Sequence, residues 1–216
     1  MGLLDRMRRS KNDGSRVQGS FGYFDLGDWW LDTFTPEERR YIEEKHKPVG
    51  GSGGNSLTQG TIGRTSQTAA GLLVGLSSWF MGPGDRDLAI RILEKADSLT
   101  QSVLDRHLVY SQLIKAHYAE RETHPGAFEA AVAACERQIA IGPQAWAAFS
   151  LEAEEGVFQP LSHRGFQQLA IIREKQGDFT EALRLCREAR SQGWRDGKGD
   201  WSNRIARLER RLSKTG

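Results

Sequence analysis

The segment 161–194 constrains the fold more than any other part of the chain, because its apolar spacing and its turn residues agree on one structural unit. Apolar residues recur every three or four positions on both sides of a central Gln-Gly-Asp, which places them on one face of each of two helices. These residues are Phe166, Leu169 and Ala170, then Phe179, Ala182, Leu185, Cys186 and Ala189. Gly177 suits the left-handed residue that ends a helix, and Asp178 can cap the next one. The segment therefore predicts two antiparallel helices joined by a short turn.

The apolar positions of this unit match a known repeat pattern. Two blocks, Phe166-x-x-Leu169-Ala170 and Ala182-x-x-x-Cys186, stand where tetratricopeptide repeats carry W-x2-L-G and A-x3-F. The unit therefore resembles a tetratricopeptide repeat, and the chain as a whole resembles tetratricopeptide-like helical proteins of bacteria. Two positions depart from the family pattern, since Arg173 stands where an aromatic residue is usual and Trp194 stands where a closing proline is usual.

A second, related hairpin precedes this unit. The helix breaker at 123–126 is followed by residues at the offsets of the same repeat, namely Phe128, Ala131, Cys135 and Pro143. Phe128 and Phe179 are about 17 residues further apart than one repeat of 34 residues. The inserted stretch 144–159 has helical character and predicts an extra helix between the two hairpins.

Two further helices, at about 66–80 and 86–99, predict another hairpin on the N-terminal side. The first has a broad apolar face that includes Trp79, which indicates deep burial, and Asp85 stands where it can cap the second. The end of the chain carries Ile205, Leu208 and Leu212 on one face of an amphipathic helix. Such a helix is typical of the terminal cap of a repeat protein.

The N-terminal part is rich in aromatic residues. Trp29 and Trp30 are adjacent, and in a helix they point about 100° apart, so at most one can be fully buried against a single neighbouring face. We expect this segment to cover the helical body, with a binding patch at Trp29 and Trp30 as the alternative. Thr35, Pro36 and Glu38 then predict a helix that begins with a capping box.

The fold class predicted from these features is all-α, with antiparallel helical hairpins stacked as a short tetratricopeptide-like α-solenoid. The chain divides into four parts. These are a flexible basic N-terminus at 1–20, an aromatic segment and helix at 21–48, a Gly-rich loop at 49–63, and a tetratricopeptide-like helical domain at 64–216 that ends in a capping helix.

Composition is that of an ordinary globular protein, with 38% hydrophobic and 27% charged residues. No apolar run approaches the length of a membrane span, and the N-terminus lacks the apolar core of a signal peptide. We therefore expect a cytoplasmic protein without a membrane span. Cys135 and Cys186 both fall on apolar helix faces, which predicts buried free thiols rather than a disulfide or a metal pair.

Charge is uneven although the net charge is only +2. Residues 1–16 carry five basic and two acidic side chains, and residues 194–216 carry seven basic and three acidic side chains. Both ends are therefore basic and the middle is acidic. A nucleic-acid-associated adaptor that uses these ends is one alternative function, and ordinary solvated surface is the simpler interpretation.

The sequence predicts no catalytic residue, no metal ligand and no cofactor. It lacks a nucleophile elbow, an HExxH motif and the lysine of a phosphate-binding loop. The four histidines in the helical body, His107, His117, His124 and His163, lack metal-ligand spacing. A helical enzyme remains an alternative, and its sign would be a deep pocket that holds His107 or His117 beside an acidic residue with a perturbed pKa.

The resemblance implies a non-enzymatic protein–protein interaction module or adaptor. Such a module binds a peptide or protein segment in the groove lined by the first helix of each hairpin. Carried over by position, the groove-facing residues are Arg164, Gln167, Ile171 and Glu174 in the last unit, with Tyr118 and Arg121 in the earlier one. The carboxylate clamp of the family needs Lys and Asn where Gln167 and Ile171 stand, so a C-terminal carboxylate is not the expected ligand.

Overall fold

The computed structural model describes residues 17–48, 55–152, 162–197 and 199–214. Within these ranges the chain forms eleven α-helices, one short 3-10 helix and no strand, which confirms the all-α prediction. None of the helices in these ranges is long and apolar enough to cross a membrane. The chain divides into two compact units, Met1–Thr68 and Ala69–Gly216.

The helices are numbered along the chain. The first unit holds α1 (Gly19–Tyr23), α2 (Gly27–Thr33) and α3 (Pro36–Lys45). The second unit holds α4 (Ala69–Ser77), the 3-10 helix (Ser78–Phe80), α5 (Arg86–Ser98), α6 (Val103–Ala119), α7 (Ala127–Ala140), α8 (Gly142–Glu152), α9 (Arg164–Lys175), α10 (Phe179–Ser191) and α11 (Ser202–Leu212).

Aromatic rings form the core of the first unit. Phe21 and Phe34 lie on either side of Trp30, with ring centroids 4.9 and 5.2 Å from its ring. Trp30 is 2% exposed, whereas Trp29 keeps part of its surface accessible, as the 100° offset between neighbouring helix positions requires. Helix α3 begins with the predicted capping box, in which Thr35 and Glu38 each accept a hydrogen bond from the other's backbone amide.

The second half of the Gly-rich loop is anchored to α1. Backbone amides of residues 18–21 donate to carbonyl oxygens of residues 56–60 at 2.9–3.1 Å, so the loop satisfies the first amides of the helix. Gly19 has φ +60°, and a Cβ there would stand 2.6 Å from the carbonyl oxygen of Ser56. Helix α1 thus begins inside the range 1–20 that was expected to be flexible. Residues 1–16 and 49–54 lie outside the described residues.

Consecutive helices of the second unit pack as hairpins. Helix α4 packs on α5, α6 on α7, and α9 on α10, and α11 packs on α10. Between hairpins, α6 contacts α4, α5 and α9, and α7 contacts α9. The predicted extra helix is present as α8, which contacts α6 and α7, and the rest of the stretch 144–159 lies outside the described residues.

The turn between α9 and α10 has the predicted chemistry. Gly177 has φ +80°, and the side chain of Asp178 accepts a hydrogen bond from the amide of Glu181 at 3.0 Å. Two other predictions were wrong. The side chain of Asp85 does not cap α5, and Trp79 is 38% exposed because the α-helix gives way to a 3-10 helix at Ser78. The change of helix type turns Trp79 away from the face that its α-helical spacing predicted.

Candidate functional site

Helix α9 presents three neighbouring side chains at its C-terminal end. Ile171 and Ile172 are adjacent in sequence, so their side chains point about 100° apart around the helix. Lys175 follows Ile171 by four positions and Ile172 by three, which makes it a neighbour of both on the helix surface. Lys175 is exposed, Ile171 is half-buried and Ile172 is buried. We call the surface of α9 formed by these three residues the Lys175 ridge. A ligand on either side of this ridge would meet the ammonium group of Lys175.

Two cavities lie on either side of Lys175. The α9–α11 cavity has a volume of about 440 Å³ and is lined by Ile171, Glu174, Lys175, Phe179, Arg204, Arg207 and Arg211. The α6–α9 cavity has a volume of about 320 Å³ and is lined by Tyr118, Arg121, Glu122, Phe128, Ile172, Lys175 and Gln176. Both volumes lie in the range of small binding sites.

The structure brings together four of the six predicted groove residues. Ile171 and Glu174 line the α9–α11 cavity, and Tyr118 and Arg121 line the α6–α9 cavity. Lys175, which lines both, was missed, although its spacing from the two isoleucines is visible in the sequence.

The other two predicted groove residues line neither cavity. Gln167 donates from Nε2 to Oδ1 of Asp196 at 3.2 Å, which ties α9 to the segment after α10. Arg164 donates from Nε to Oγ of Ser111 at 3.3 Å, which ties α9 to α6. Both side chains therefore make contacts within the second unit.

Arginines of α11 form one wall of the α9–α11 cavity. Arg207 donates from Nε and Nη2 to the two carboxylate oxygens of Glu174, at 3.1 and 2.7 Å. Arg204 donates from Nε to Asp196 at 3.2 Å. The guanidinium of Arg211 lies 5.9 Å from the ring centroid of Phe179. Four cationic side chains and one acidic side chain thus line this cavity.

The α6–α9 cavity combines an apolar floor with polar walls. Phe128 and Ile172 supply apolar surface. The guanidinium of Arg121 lies 4.4 Å from the ring centroid of Tyr118, and its Nη2 donates to Glu122 at 2.7 Å. Nζ of Lys175 donates to the hydroxyl oxygen of Tyr118 at 3.4 Å. This mixture of apolar, aromatic and arginine side chains is typical of the centre of protein interfaces.

A third cavity, of about 310 Å³, bears on the enzyme alternative because His117 and Glu120 both line it. Hydrogen bonds from Thr123 and then Arg86 hold the pKa of Glu120 down, at about 2, while burial lowers the pKa of His117. A carboxylate with so low a pKa is a weak base at neutral pH. The cavity thus holds the residue types expected for an enzyme. However, the pKa of Glu120 is lowered, as in an ion pair, whereas a catalytic acid or base needs a pKa nearer to neutral pH.

The remaining helical histidines divide between core and surface. His107 and His163 are 4% and 0% exposed, and the side chain of His124 is 66% exposed. The ring of His107 stacks on Trp194 with centroids 5.3 Å apart and planes 8° apart, and the ring of His163 lies 4.8 Å from the same tryptophan. Burial lowers the pKa of His107 to about 4 and the pKa of His163 to about 3, so both rings are neutral at pH 7. We call His107, His163 and Trp194 the His–Trp core.

Gln138 of α7 bonds to α6 in its own hairpin and to α9 in the next hairpin. Its Nε2 donates to the carbonyl oxygen of His107 in α6 at 2.9 Å, and its Oε1 accepts from the amide of Gly165 in α9 at 2.7 Å. The side chain is fully buried. His163 caps α9, since its Nδ1 accepts from the amide of Phe166 at 3.3 Å. The sequence offered no sign that these residues meet, because they come from α6, α7 and the start of α9.

The cysteines and aromatic residues of the described ranges can be compared with the sites predicted for them. Among the residues that the structure describes, no group of three or more His, Cys, Asp and Glu side chains is placed to hold a metal ion. Cys135 and Cys186 are buried free thiols, as predicted. Trp29 and Trp30 belong to the aromatic core of the first unit, in which Trp30 is inaccessible. A patch at these positions would expose Trp29 alone.

Comparison with known proteins found no family model that matches the chain, no matching curated protein and no matching solved structure.

Proposed function

We propose that this chain is a non-enzymatic protein-interaction module that binds a peptide segment of a partner at the two cavities beside Lys175. The observation that carries the proposal is the convergence of Ile171, Glu174, Tyr118 and Arg121 on these adjacent cavities. Within each pair the residues are three positions apart and neighbours by helix geometry. The support for the proposal is that α6 and α9 bring the two pairs to adjacent cavities that share Lys175. An extended segment that crosses the Lys175 ridge would reach both cavities.

The arrangement of helices supports a tetratricopeptide-like solenoid as the scaffold for this function. Helix α6 contacts the first helix of the hairpin before it, α4, and the first helix of the hairpin after it, α9. Helix α7 also contacts α9, as expected when a second helix packs against the next repeat. First helices that line up in this way form the continuous surface that repeat proteins use for binding.

The basic C-terminal end gives less support to a nucleic-acid-binding function. Arg207 and Arg204 form ion pairs with Glu174 and Asp196, so their charges are already compensated in part by the protein. The basic N-terminal stretch 1–16 lies outside the described residues. Peptide binding therefore has the more specific structural support.

Selection from a phage-displayed library of short random peptides, with the full chain as bait, tests the proposal. We expect enriched peptides to bind the wild type and to lose binding to the Arg121→Glu variant, because Arg121 lines the α6–α9 cavity. Arg190→Glu is the matched control, since Arg190 is exposed on α10 and lines neither cavity. A photo-crosslinking residue in place of Gln176 should capture the bound peptide.

The proposal fails if no peptide is enriched over a bait-free selection. It also fails if enriched peptides bind both charge-reversed variants equally and do not crosslink from position 176. Far-UV circular dichroism of each variant separates loss of binding from loss of fold.

A further inference from the structure

The linings of the two cavities are unbalanced in charge. Together they contain five cationic side chains and two acidic ones. The cationic residues are Arg121, Lys175, Arg204, Arg207 and Arg211. The acidic residues are Glu122 and Glu174, and each is already bonded to an arginine of its own cavity. Arg204 is likewise bonded to Asp196 at 3.2 Å, so three carboxylates face the five cations. The excess of positive charge favours a ligand that carries negative groups.

Each cavity also offers apolar surface beside its cations. Ile171 and Phe179 line the α9–α11 cavity, and Phe128 and Ile172 line the α6–α9 cavity. A purely ionic ligand would leave this surface in contact with water. A ligand with apolar side chains between its acidic groups would cover it and gain the free energy of burial.

Glu174 shows the contact that a carboxylate makes in this environment. Its two oxygens accept from Nε and Nη2 of Arg207 at 3.1 and 2.7 Å, the bidentate geometry that favours arginine as a partner of carboxylates. Lys175 lies on the ridge between the cavities and Arg211 at the rim of one of them. Carboxylates that flank an apolar side chain can therefore meet Lys175 on one side and Arg211 on the other.

The aromatic rings argue against nucleic acid as the ligand. Single strands are bound largely by stacking of bases on exposed aromatic faces. Here the guanidinium of Arg121 lies over the ring of Tyr118 at 4.4 Å, and that of Arg211 lies over the ring of Phe179 at 5.9 Å. A base would have to displace an arginine in order to stack on either ring.

We infer that the partner segment is acidic, with apolar side chains flanked by carboxylates, and that α11 supplies part of its binding site as well as covering the last hairpin. The inference rests on the proposed function, because it specifies the chemistry of the segment bound at the same cavities. Lys175 and Arg211 are the residues that select for acidic groups. Ile171 and Phe179 receive an apolar side chain.

Fluorescence anisotropy with three labelled probes tests the inference on the full chain. The probes are a peptide that alternates glutamate with leucine, the same peptide with glutamine for glutamate, and a single-stranded oligodeoxynucleotide. We expect the glutamate peptide to bind at least about tenfold more tightly than the glutamine peptide, since hydrogen bonds to charged groups are worth this much. Its affinity should fall as salt is added.

Variants locate the site. Lys175→Glu and Arg211→Glu should each weaken binding of the glutamate peptide about tenfold, and Lys175→Gln should weaken it less than Lys175→Glu does. Lys115→Glu and Arg190→Glu are matched controls, because both side chains are exposed and line neither cavity. The controls should bind the glutamate peptide as the wild type does.

Three results overturn the inference, and they can be told apart from failure of the proposed function. Equal binding of the glutamate and glutamine peptides removes the acidic selectivity but leaves peptide binding in place. Failure to bind the glutamate peptide, while peptides from the display selection still bind, likewise removes the acidic selectivity and leaves peptide binding in place. If the oligonucleotide binds more tightly than the glutamate peptide, and Lys175→Glu weakens its binding, the ligand of this site is a nucleic acid and not an acidic peptide. The proposed function itself fails only on the results given for it above, which are the absence of any enriched peptide, or enriched peptides that bind both charge-reversed variants equally and do not crosslink from position 176.

Discussion

Acidification should destabilise the second unit through the His–Trp core. Burial lowers the pKa of His107 to about 4 and that of His163 to about 3, whereas both have a pKa near 6.5 in the unfolded chain. Above pH 6.5 both states hold neutral rings, and the stability is complete. Below pH 6.5 the unfolded chain binds protons that the folded core excludes, so stability falls until the pH reaches the folded pKa values.

The magnitude follows from the same pKa values. Each histidine removes about 1.4 kcal/mol of unfolding free energy for each pH unit below 6.5, so at pH 5 the loss is about 2 kcal/mol per ring and about 4 kcal/mol for both. The lowered pKa of Glu120 acts in the same direction, but mainly below pH 4.5, where its carboxyl protonates in the unfolded chain. The histidines therefore dominate the change between about pH 7.5 and pH 5.

Urea unfolding followed by far-UV circular dichroism, at about pH 7.5 and pH 5, measures this loss directly. His107→Phe keeps an aromatic ring against Trp194 but cannot bind a proton, so it should remove the contribution of His107, about 2 kcal/mol, from the loss of stability at pH 5. His124→Gln is the comparison, because its exposed side chain lies outside the His–Trp core and pairs with Glu120 only when it is protonated. This variant should keep the loss of stability at pH 5. An unfolding free energy that is the same at both pH values, or an unchanged slope in His107→Phe, would refute the reasoning.

Three further predictions concern local features. Gly19→Ala should destabilise the first unit by at least about 1 kcal/mol, because φ is +60° and the new Cβ would meet a carbonyl oxygen; Gly63→Ala, in open space, should not, and thermal melts distinguish them. Burial raises the pKa of Cys135 to about 12 and that of Cys186 to about 11, so neither thiol should react with an aromatic disulfide reagent until urea unfolds the chain; rapid labelling of the native protein would contradict this. A chain shortened to begin at residue 100 lacks α4 and α5, which pack on α6, so we expect it to be poorly folded. A cooperative thermal melt of this chain would show that the α4–α5 hairpin is dispensable.

Local chemistry accounts for what the sequence predicted well. The turn at Gly177 and Asp178 needs a left-handed residue and a capping side chain, and both requirements are met within a few residues of chain. The capping box at Thr35 is equally local. Trp79 was predicted wrongly because periodicity assumes one helix type, and the change to a 3-10 helix at Ser78 alters the angle between successive side chains.

Long-range packing accounts for what the sequence did not predict. Lys175 matters because α11 and α6 approach α9 from different sides, and neither approach is encoded in the spacing within α9. Trp194 breaks the repeat pattern at the position of a closing proline, and only the structure shows that its ring packs against both His107 and His163. Repeat position therefore indicated some of the residues that line the cavities, and the basic composition of 194–216 was visible, but the sequence did not show that α11 places these arginines beside α9.

Gln138 has a consequence for how the hairpins can move. Packed apolar helix faces interdigitate, but one apolar contact can be replaced by another after a change of register, because dispersion forces have no preferred direction. A buried amide that bonds α6 at one end and α9 at the other allows no such replacement, since a shift of one helical turn, about 5.4 Å, would break both bonds without water to replace them. The two bonds of Gln138 therefore fix the register of α7 against both α6 and α9, and a change of register would leave a buried amide without hydrogen-bond partners.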